Sequence, residues 1–411
     1  MVISGGGPSG CATALFLWAA FRERSWCPRI LVIDKAVFPR EKICAGAIAG
    51  RAERALQAIG VQVRCPSAPI RALGVVTGEG RLLERHPHPI GRVVRRHEFD
   101  TALLAEVVAR GIEVRTGVAF EGFRRVPDGL VLATSAGTLT AKCLVGADGV
   151  GSRVRRELKL GRGALYAQAV EVDTPWCDAD RTDMGGDDVL WFDLRDRRYP
   201  GYGWSFPTLV GGESMACRGI YRVTHGVAAL RDEAPEVATL LGDELLRLGF
   251  CDPRAGALDG LEASGNPSIA PHLKRFAERG LHPHEPTATN RVVLVGEAAG
   301  IDPVLGEGIA QAILYGKVAG AFLAACIEKN EWTFSAWPRT FGRSRVGVDL
   351  AARRLALPFV YGAGRPWLER CVTESRALAR AGLHYFAGER VPRMELLRAA
   401  GDAVRAAVSP S

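Results

Sequence analysis

Three glycine-rich segments, far apart in the chain, contain residues suited to holding phosphate and hydroxyl groups. They occupy residues 5–10, 146–149 and 296–300. Each follows a short apolar run of the kind that forms a buried strand, so each predicts a turn at a strand end. One such turn would be weak evidence of function, because tight turns often need glycine for geometry alone. Three in this order predict a chain that wraps one elongated dinucleotide, and FAD fits that description best.

The first segment has the glycine spacing of a dinucleotide-binding turn. Gly5 allows a tight turn from strand to helix, Gly7 lets the backbone approach a pyrophosphate, and Gly10 permits close packing of the helix. The helix that begins near Pro8 and Ser9 would present free N–H groups and the positive end of its dipole to the phosphates. We therefore expect all five residues to bind the cofactor.

A βαβ unit around this turn supplies an acidic residue for a ribose. Residues 2–3 predict the first strand, residues 10–22 an apolar helix, and residues 30–33 a second strand that ends at Asp34. Asp34 lies 24 residues after the last glycine of the turn. An acid that hydrogen-bonds a ribose hydroxyl is expected after about 20 residues. Asp34 and its neighbour Lys35 are therefore candidate cofactor-binding residues.

The second segment places an acid at the end of a buried strand. Asp148 and Gly149 form the turn, and a hydroxyl and an arginine follow at Ser152 and Arg155. A strand followed by Asp-Gly is often only a turn. Because this turn occurs together with the other two glycine segments, Asp148 and Gly149 are candidate cofactor-binding residues.

The third segment pairs Glu297 with a second glycine loop that opens a helix. An acid at this place can bind a polyol hydroxyl. The backbone of Gly306, Gly308 and Ile309 can approach a flat ring closely and donate N–H groups to it. We expect these four residues to contact the cofactor.

The remaining pattern predicts an α/β fold with an inserted antiparallel domain. Dinucleotide-binding parts are expected at 1–164 and 287–345, and an antiparallel substrate domain at 165–286, with part of 61–95 contributing to it. The pattern of residues 346–411 predicts helices.

Two short alternating runs, residues 112–114 and 129–134, predict strands of a small sheet within the first part. The amphipathic helix expected at 99–110 precedes them.

Composition narrows the class of protein. The 411 residues are 47% apolar and 24% charged, which is typical of a globular protein. The net charge of +8 is spread along the chain without a block of five or six basic residues, so we expect no nucleic-acid partner. The ten cysteines include no C-x-x-C pair and no paired Cys/His metal spacing, so we expect no metal. Scattered thiols suit a reducing compartment, and with no apolar run near about 20 residues we expect a cytoplasmic protein.

The three segments together resemble the FAD-dependent family with the p-hydroxybenzoate hydroxylase fold. That family includes class A flavin monooxygenases, geranylgeranyl reductases and flavin-dependent halogenases, and the resemblance extends to about residue 345. It implies a Rossmann-like FAD-binding domain, an inserted antiparallel-sheet substrate domain and C-terminal helices.

The resemblance also implies roles for individual residues. The first turn would bind the pyrophosphate and Asp34 the adenosine ribose, while the third segment would hold the ribityl chain and the isoalloxazine ring. Arg40 and Arg96 match family positions that touch FAD. Glu297 departs from the family's usual Asp, although one extra methylene should still reach a hydroxyl.

Aromatic residues at alternate positions give the best indication of a substrate. Tyr202, Trp204 and Phe206 resemble the Tyr-x-Trp-x-Phe-Pro element of geranylgeranyl reductases, where the aromatics line a tunnel for a prenyl chain. The loop around Cys44 resembles the cysteine loop of the same enzymes. Cys44, Tyr202 and Trp204 are therefore candidate catalytic residues. The alternative is that the three aromatics form one face of a sheet core.

Several activities share these motifs. The spacing from Asp148 to Arg155 matches the monooxygenase form, whereas the reductases usually carry Gly-x-Gly about eight residues after the proline that follows Phe206, where this chain reads Glu213 to Cys217. We therefore favour a monooxygenase that hydroxylates or epoxidises a hydrophobic aromatic or prenylated molecule, with prenyl double-bond reduction as the alternative. A halogenase and a flavin electron carrier without substrate chemistry are minor alternatives.

The electron donor and the C-terminal region remain open. A second complete G-x-G-x-x-G in a βαβ context is absent from the sequence, so NAD(P)H is expected to dock transiently, or another protein to reduce the flavin. The C-terminal helices could lie on a membrane, cap the substrate domain or form a dimer contact. The residues that favour the membrane alternative are Arg365, Trp367, Leu368, Arg370, Arg376, Arg380 and Tyr385.

Overall fold

The structure is a computed structural model that describes residues 1–160, 165–177, 185–225, 234–248, 274–279, 285–302 and 304–408. Parts of the expected insert at 165–286, and the boundary expected at residue 164, therefore lie outside the described residues. The elements below belong to the described ranges.

The helices are α1 (Pro8–Phe21), α2 (Gly50–Gln57), α3 (Arg96–Val108), α4 (Arg153–Glu157), α5 (Ala234–Arg247), α6 (Gly308–Lys329), α7 (Trp337–Arg343), α8 (Arg345–Val360), α9 (Arg365–Glu374), α10 (Arg376–Ala387) and α11 (Arg393–Val408). The strands are β1 (Val2–Ser4), β2 (Leu31–Asp34), β3 (Ala47–Ala49), β4 (Ser67–Ile70), β5 (Ala72–Val76), β6 (Arg81–Arg85), β7 (Gly91–Val94), β8 (Glu113–Thr116), β9 (Phe120–Val126), β10 (Gly129–Thr134), β11 (Gly137–Ala141), β12 (Leu144–Gly146), β13 (Leu165–Thr174), β14 (Val189–Asp193), β15 (Gly201–Val210), β16 (Glu213–His225), β17 (Lys274–Arg279), β18 (Ala288–Thr289) and β19 (Val292–Leu294).

The dinucleotide-binding part is built on a six-stranded sheet in the order β18-β19-β12-β1-β2-β8. β1 pairs in parallel with β2 on one side and with β12 on the other. Such strands are covered on both faces, so they consist of apolar residues without alternation. Because these strands are parallel, the three glycine segments that follow β1, β12 and β19 meet at one edge of the sheet.

Two long helices pack against each other beside this sheet. α1 and α6 approach closely because α6 carries glycine at the contact: a Cβ atom at Gly316 would lie 2.6 Å from the Cβ of Ala12, and one at Gly320 would lie 2.7 Å from the Cβ of Phe16. α6 is apolar and long enough to cross a membrane, but 72% of its apolar window is buried inside the molecule. Its composition therefore matches its place in the core.

The strand expected at 112–114 lies in a different sheet from the one predicted. β8 begins at Glu113 and pairs in parallel with β2 at the edge of the main sheet. The prediction of a shared small sheet with residues 129–134 was wrong. α3 connects β7 to β8, and a parallel neighbour needs such a crossover helix. The small sheet consists of β9, β10 and β11, which pair antiparallel.

The second part is a seven-stranded sheet in the order β17-β13-β16-β15-β14-β5-β6. Its long strands β13, β15 and β16 are antiparallel, and residues from 72 to 85 supply β5 and β6. The two faces carry different residues because side chains alternate along a strand. Val170 and Ile220 pack against α5 on one face, whereas Tyr202, Trp204 and Phe206 lie together on the other.

The C-terminal helices cover the aromatic face of this sheet. Leu383 and Ala387 of α10 are buried in the same cluster as Tyr202. Arg365 of α9 is also buried, and its guanidinium donates to the carbonyl oxygens of Leu194 and Tyr199. These helices therefore pack on the aromatic face of the seven-stranded sheet and on its loops.

Candidate active site

A cavity of about 1080 Å³ lies at the edge of the main sheet where the parallel strands end. Such an edge is where open α/β sheets bind ligands. The residues predicted to bind the cofactor that line it are Gly5, Gly7, Pro8, Ser9, Asp34, Lys35, Arg40, Arg96, Asp148, Gly149, Glu297, Gly308 and Ile309. The fold thus brings residues from all three glycine segments around one space.

Gly10 and Gly306 lie elsewhere. A Cβ atom at Gly10 would stand 1.9 Å from the carbonyl oxygen of Gly5, so Gly10 packs behind the turn instead of lining the cavity. Gly306 lines a second cavity, under the rings of Tyr202 and Tyr221. Both glycines therefore shape the loops that line the cofactor cavity and are not part of its wall.

The first turn is held open toward the cavity by backbone contacts. Gly5 has a φ of +115°, which favours glycine. The carboxylate of Asp34 accepts from the N–H of Gly6 at 2.7 Å and from the N–H of Ala36 at 2.8 Å. These contacts fix the Asp34 side chain and leave oxygen lone pairs for further hydroxyl groups. No side chain caps the start of α1, so its first N–H groups remain available to an anion.

A buried ion cluster orients the two predicted arginines. Asp100 is fully buried and accepts from Arg96 at 2.8 and 2.7 Å, and it lies 2.9 Å from a guanidinium nitrogen of Arg40. Burial opposes the charge of Arg96, but pairing with Asp100 more than offsets this and raises the pKa of Arg96. The Arg96 guanidinium therefore stays charged beside the cofactor cavity.

Asp148 has a local structural role. Its carboxylate accepts from the hydroxyl of Ser152 at 2.5 Å and from the backbone N–H groups of Arg153 and Val154 at 2.7 and 3.1 Å. It therefore caps the start of α4, although burial raises its pKa. Arg155 pairs with Glu285 and with the carbonyl oxygen of Ala298. The residues that resemble the monooxygenase motif are thus engaged in holding this part of the fold together.

Glu297 forms an ion pair with a lysine that the sequence analysis did not single out. A short 3-10 helix covers Gly296–Ala298, and the Glu297 carboxylate accepts from the ammonium of Lys42 at 3.1 Å. Both side chains line the cavity. The longer acid therefore reaches a partner within the site.

A second, mostly apolar cavity of about 400 Å³ lies between the aromatic face of the seven-stranded sheet and the C-terminal helices. Tyr202, Trp204 and Phe206 line it, and each is at least 94% buried. The ring of Tyr202 stacks on Tyr221 with centroids 5.1 Å apart, and Phe192 lies against Tyr202 and Phe206. The aromatic residues thus form a sheet core and a cavity wall at once.

Tyr202 contacts the loop that precedes α6. Its hydroxyl donates to the carbonyl oxygen of Leu305 at 2.6 Å, directly before Gly306. The O–H bond of this candidate catalytic residue is thus directed at a fixed acceptor. Its position favours a role in anchoring the loop.

Three residues line both cavities: Cys44, Gly308 and Ile309. The two spaces therefore meet at the loop after β2 and at the start of α6. The backbone N–H of Cys44 donates to Glu171 at 3.1 Å, and burial raises the pKa of the Cys44 thiol. Burial and the neighbouring Asp173 raise the pKa of Glu171 to about 7, although Arg95 opposes this. A protonated thiol thus stands at the junction of the two cavities at neutral pH.

Comparison with known proteins points to one family. Residues 1–189 match a family described as an FAD binding domain. A menaquinone reductase of Mycobacterium tuberculosis is 29% identical over 404 residues, covering 92% of this chain and 88% of that protein. A digeranylgeranylglycerophospholipid reductase of Methanopyrus kandleri is 26% identical over 361 residues, covering 82% and 83%. The solved structure of a geranylgeranyl bacteriochlorophyll reductase-like protein of Thermoplasma acidophilum has a TM-score of 0.72 at 18% identity, covering 98% of this chain and 96% of that one.

Residues 1–189 belong to the FAD binding domain family, and the chain has the fold of the FAD-dependent oxidoreductases of the p-hydroxybenzoate hydroxylase type. The sequence-based prediction of family and fold class is thereby confirmed, and FAD is its cofactor.

The residues of this oxidoreductase fit FAD on structural grounds. The start of α1 lacks a side-chain cap, and so does the start of α6, and both starts line the larger cavity. Phosphate groups fit the first and a flat ring with acceptor atoms fits the second. Asp34 would hold the ribose, and Arg40, Lys42 and Arg96 would offset the negative charge of the pyrophosphate and the flavin.

Several residues of this flavoprotein site escaped the sequence analysis. Lys42, Arg51, Glu171 and Arg353 are ionisable residues beside the two cavities, and none belongs to a glycine motif. Lys42 follows the recognised Phe-Pro-Arg run within the cysteine loop, so its place in that loop was the available signal. The other three are paired with partners more than 40 residues away, and sequence spacing gave no indication of them.

Proposed function

We propose that this FAD-dependent oxidoreductase reduces carbon–carbon double bonds in the prenyl chain of a lipophilic substrate. The proposal rests on the position of Cys44, which lines both the cofactor cavity and the apolar cavity with the aromatic walls. The two relatives described above, a menaquinone reductase and a digeranylgeranylglycerophospholipid reductase, support it.

Saturation of a double bond needs a hydride at one carbon and a proton at the other. Reduced FAD supplies the hydride when bound. The Cys44 thiol would donate the proton, and its raised pKa keeps it protonated at neutral pH. The apolar walls, with Trp204 and Phe206, would hold the chain and exclude water. NAD(P)H, docking transiently, is the proposed source of electrons for the next turnover.

A monooxygenase is the second candidate, and the sequence analysis favoured it. Its support came from the spacing between Asp148 and Arg155, and the contacts of Asp148, Ser152 and Arg155 described above account for those residues through their role in holding the fold together. The apolar cavity beside the cofactor cavity suits an oxygenated hydrophobic product as well. The same cavity weighs against an electron carrier without substrate chemistry.

The experiment is an anaerobic turnover with chemically reduced enzyme and a geranylgeranyl lipid, followed by mass spectrometry. We expect the lipid to gain two hydrogen atoms per reduced bond without any requirement for oxygen. Cys44→Ala should lower the rate by about 10²-fold or more while FAD stays bound. Cys65→Ala removes a half-buried thiol beside Arg92, outside the lining of the two cavities, and serves as the control. Product that forms only in air and carries label from labelled O₂ would establish the monooxygenase instead.

We also propose that the C-terminal region contacts a membrane through α11. Three of the seven residues first chosen for this role are engaged elsewhere: Arg365 is buried, Leu368 lines the apolar cavity, and Tyr385 packs under Arg51. α11 instead exposes an apolar stripe that the sequence analysis did not single out. Its members are Met394, Leu397 and Val404, spaced three and seven residues apart on one helical face.

A further inference from the structure

One end of the apolar cavity is lined by charged side chains. Arg51 of α2, Glu307 of the loop before α6 and Arg353 of α8 all line it. Arg51 forms an ion pair with Glu307, and Arg353 pairs with the same carboxylate oxygen at 2.7 Å. The guanidinium carbon of Arg51 lies 4.3 Å from the centre of the Tyr385 ring. This group directly precedes Gly308, so it adjoins the place where the two cavities meet.

Three polar atoms of this group are buried without a hydrogen-bond partner in the part of the chain that the structure describes. They are Nε and Nη1 of Arg51 and Oε1 of Glu307. The Arg51 side chain is only 6% exposed, so solvent does not satisfy its two nitrogens. A buried donor left without an acceptor costs about 1–3 kcal/mol, and more when the group is charged. Such atoms therefore call for a bound partner.

The charges around these atoms indicate what that partner is. Arg51 and Arg353 contribute two positive charges, while Asp302, Glu307 and Asp349 contribute three carboxylates that pair with them. The positive charge is thus already matched, and a phosphate would meet nearby carboxylates. A neutral oxygen can accept from Arg51 without that repulsion, and a hydroxyl could in addition donate to Glu307.

We infer that Arg51 and Glu307 form a polar subsite for a neutral oxygen, a carbonyl or hydroxyl, on the head group of the substrate. The prenyl chain would then occupy the apolar remainder of the cavity, between the aromatic residues of β15 and the C-terminal helices. This assignment rests on the proposed function. Apolar walls with a few convergent polar groups are the usual way for a site to fix the orientation of such a ligand.

The test compares binding of three ligands to the oxidised holoenzyme, followed by the change in flavin fluorescence. The ligands share a geranylgeranyl chain and differ at its end, which carries a naphthoquinone, a diphosphate or a methyl group. We expect the quinone to bind about tenfold more tightly than either of the others, since a hydrogen bond to a charged donor discriminates by about that factor.

Arg51→Lys is the decisive variant, because it keeps the positive charge near Glu307 and Tyr385 but removes the donors at Nε and Nη1. It should bind the quinone about tenfold more weakly, leave the methyl-ended ligand unchanged and retain its FAD. Leu368→Ala, on the apolar wall, is the matched control and should weaken all three ligands to similar extents.

Three outcomes would overturn the subsite. Equal loss of quinone and methyl-ended ligand in Arg51→Lys would assign Arg51 a packing role, and loss of FAD would assign its free donors to the cofactor. Tightest binding of the diphosphate in the parent protein would contradict the choice of a neutral oxygen. Binding is measured without turnover, so this test is independent of the proposed reaction. An enzyme that selects the quinone head group but does not saturate the prenyl chain would refute the proposed function and leave the subsite standing.

Discussion

Glu171 brings an ionisable group into the core beside the cysteine loop. Its carboxylate accepts from the N–H of Cys44, lies 3.8 Å from the Cys217 sulfur, and has the Asp173–Arg95 ion pair beside it. Burial is the main cause that raises its pKa, and the charge of Asp173 adds to it. Below a pH of about 7, Glu171 is therefore mainly protonated in the folded protein.

This raised pKa makes stability depend on pH. A pKa that rises from 4.5 to about 7 on folding contributes stability that is full below pH 4.5 and is lost as the pH passes through about 7. The free energy of unfolding should therefore fall between pH 5 and pH 8 by up to about 3 kcal/mol from this group. Glu171→Gln should remove that fall, because glutamine does not ionise.

Urea denaturation of both proteins at the two pH values measures the difference. Glu374→Gln changes an exposed glutamate at the end of α9 and serves as the control, which should keep the pH dependence of the parent protein. The same fall in the free energy of unfolding for Glu171→Gln and the parent protein would contradict a protonated Glu171 in the fold.

At this scale, the sequence indicated which residues lie around one cavity where the signal was local. Gly5, Gly7 and Asp34 could be predicted because a dinucleotide-binding turn fixes their spacing within one βαβ unit. Arg51 and Glu171 could not, because their partners Glu307 and Cys44 lie 256 and 127 residues away. From sequence alone, an arginine on a short helix is expected at the surface, because its partner far along the chain is not apparent.

At the scale of elements, the turn between β1 and α1 shows how a loop becomes a phosphate site. Gly7 has a φ of −80°, which any residue adopts, so its backbone does not require glycine. A Cβ atom there would meet only an Arg40 nitrogen at 3.4 Å, an ordinary contact. The need for glycine at this position therefore comes from the pyrophosphate that must approach it.

Gly7→Ala should consequently leave the fold intact and weaken FAD binding by at least about tenfold, through steric conflict with the phosphates. The measurement is the FAD dissociation constant from flavin fluorescence, together with the unfolding transition of the protein without FAD. Gly342→Ala, where a Cβ atom meets nothing within 4 Å, provides the control. A stable variant that binds FAD as tightly as the parent would remove Gly7 from the pyrophosphate site.

Sequence patterns predicted which elements form better than how they pair. The strand near residue 113 and the strand at 129–134 both exist, but only the second lies in the small sheet. Alternation of polar and apolar residues reports exposure along one strand and carries no information on its neighbour. The neighbour of β8 is set by the α3 crossover, which returns the chain to the parallel sheet.

At the scale of the whole molecule, α9 and α10 connect the apolar cavity to α11, because both helices line the cavity and α11 packs against both of them. The prenyl substrate proposed above would dissolve in a bilayer, and the enzyme would then have to take it from there. The exposed stripe of α11 offers the apolar contact that such an exchange requires, with Met394 57% and Leu397 66% exposed.

The double substitution Met394→Ser and Leu397→Ser should lower binding to vesicles of phosphatidylglycerol and phosphatidylcholine by at least about tenfold, since burying each side chain is worth about 1.5–3 kcal/mol. Flotation of the protein with the vesicles measures this. Val108→Ser changes an exposed valine at the end of α3 and should have no effect. Unchanged flotation of the double variant would exclude α11 as the contact.

The contact between α1 and α6 also limits how this protein can change over time. Gly316 and Gly320 seat α6 on α1 in one register, and both helices begin at the cofactor cavity. One residue inserted between Gly308 and Gly316 would turn the start of α6 by about 100° and move it by about 1.5 Å. The flavin end of the site would then lose its alignment with the phosphate end. Length variation among descendants of this chain is therefore confined to loops outside that stretch, whatever substrate each comes to use.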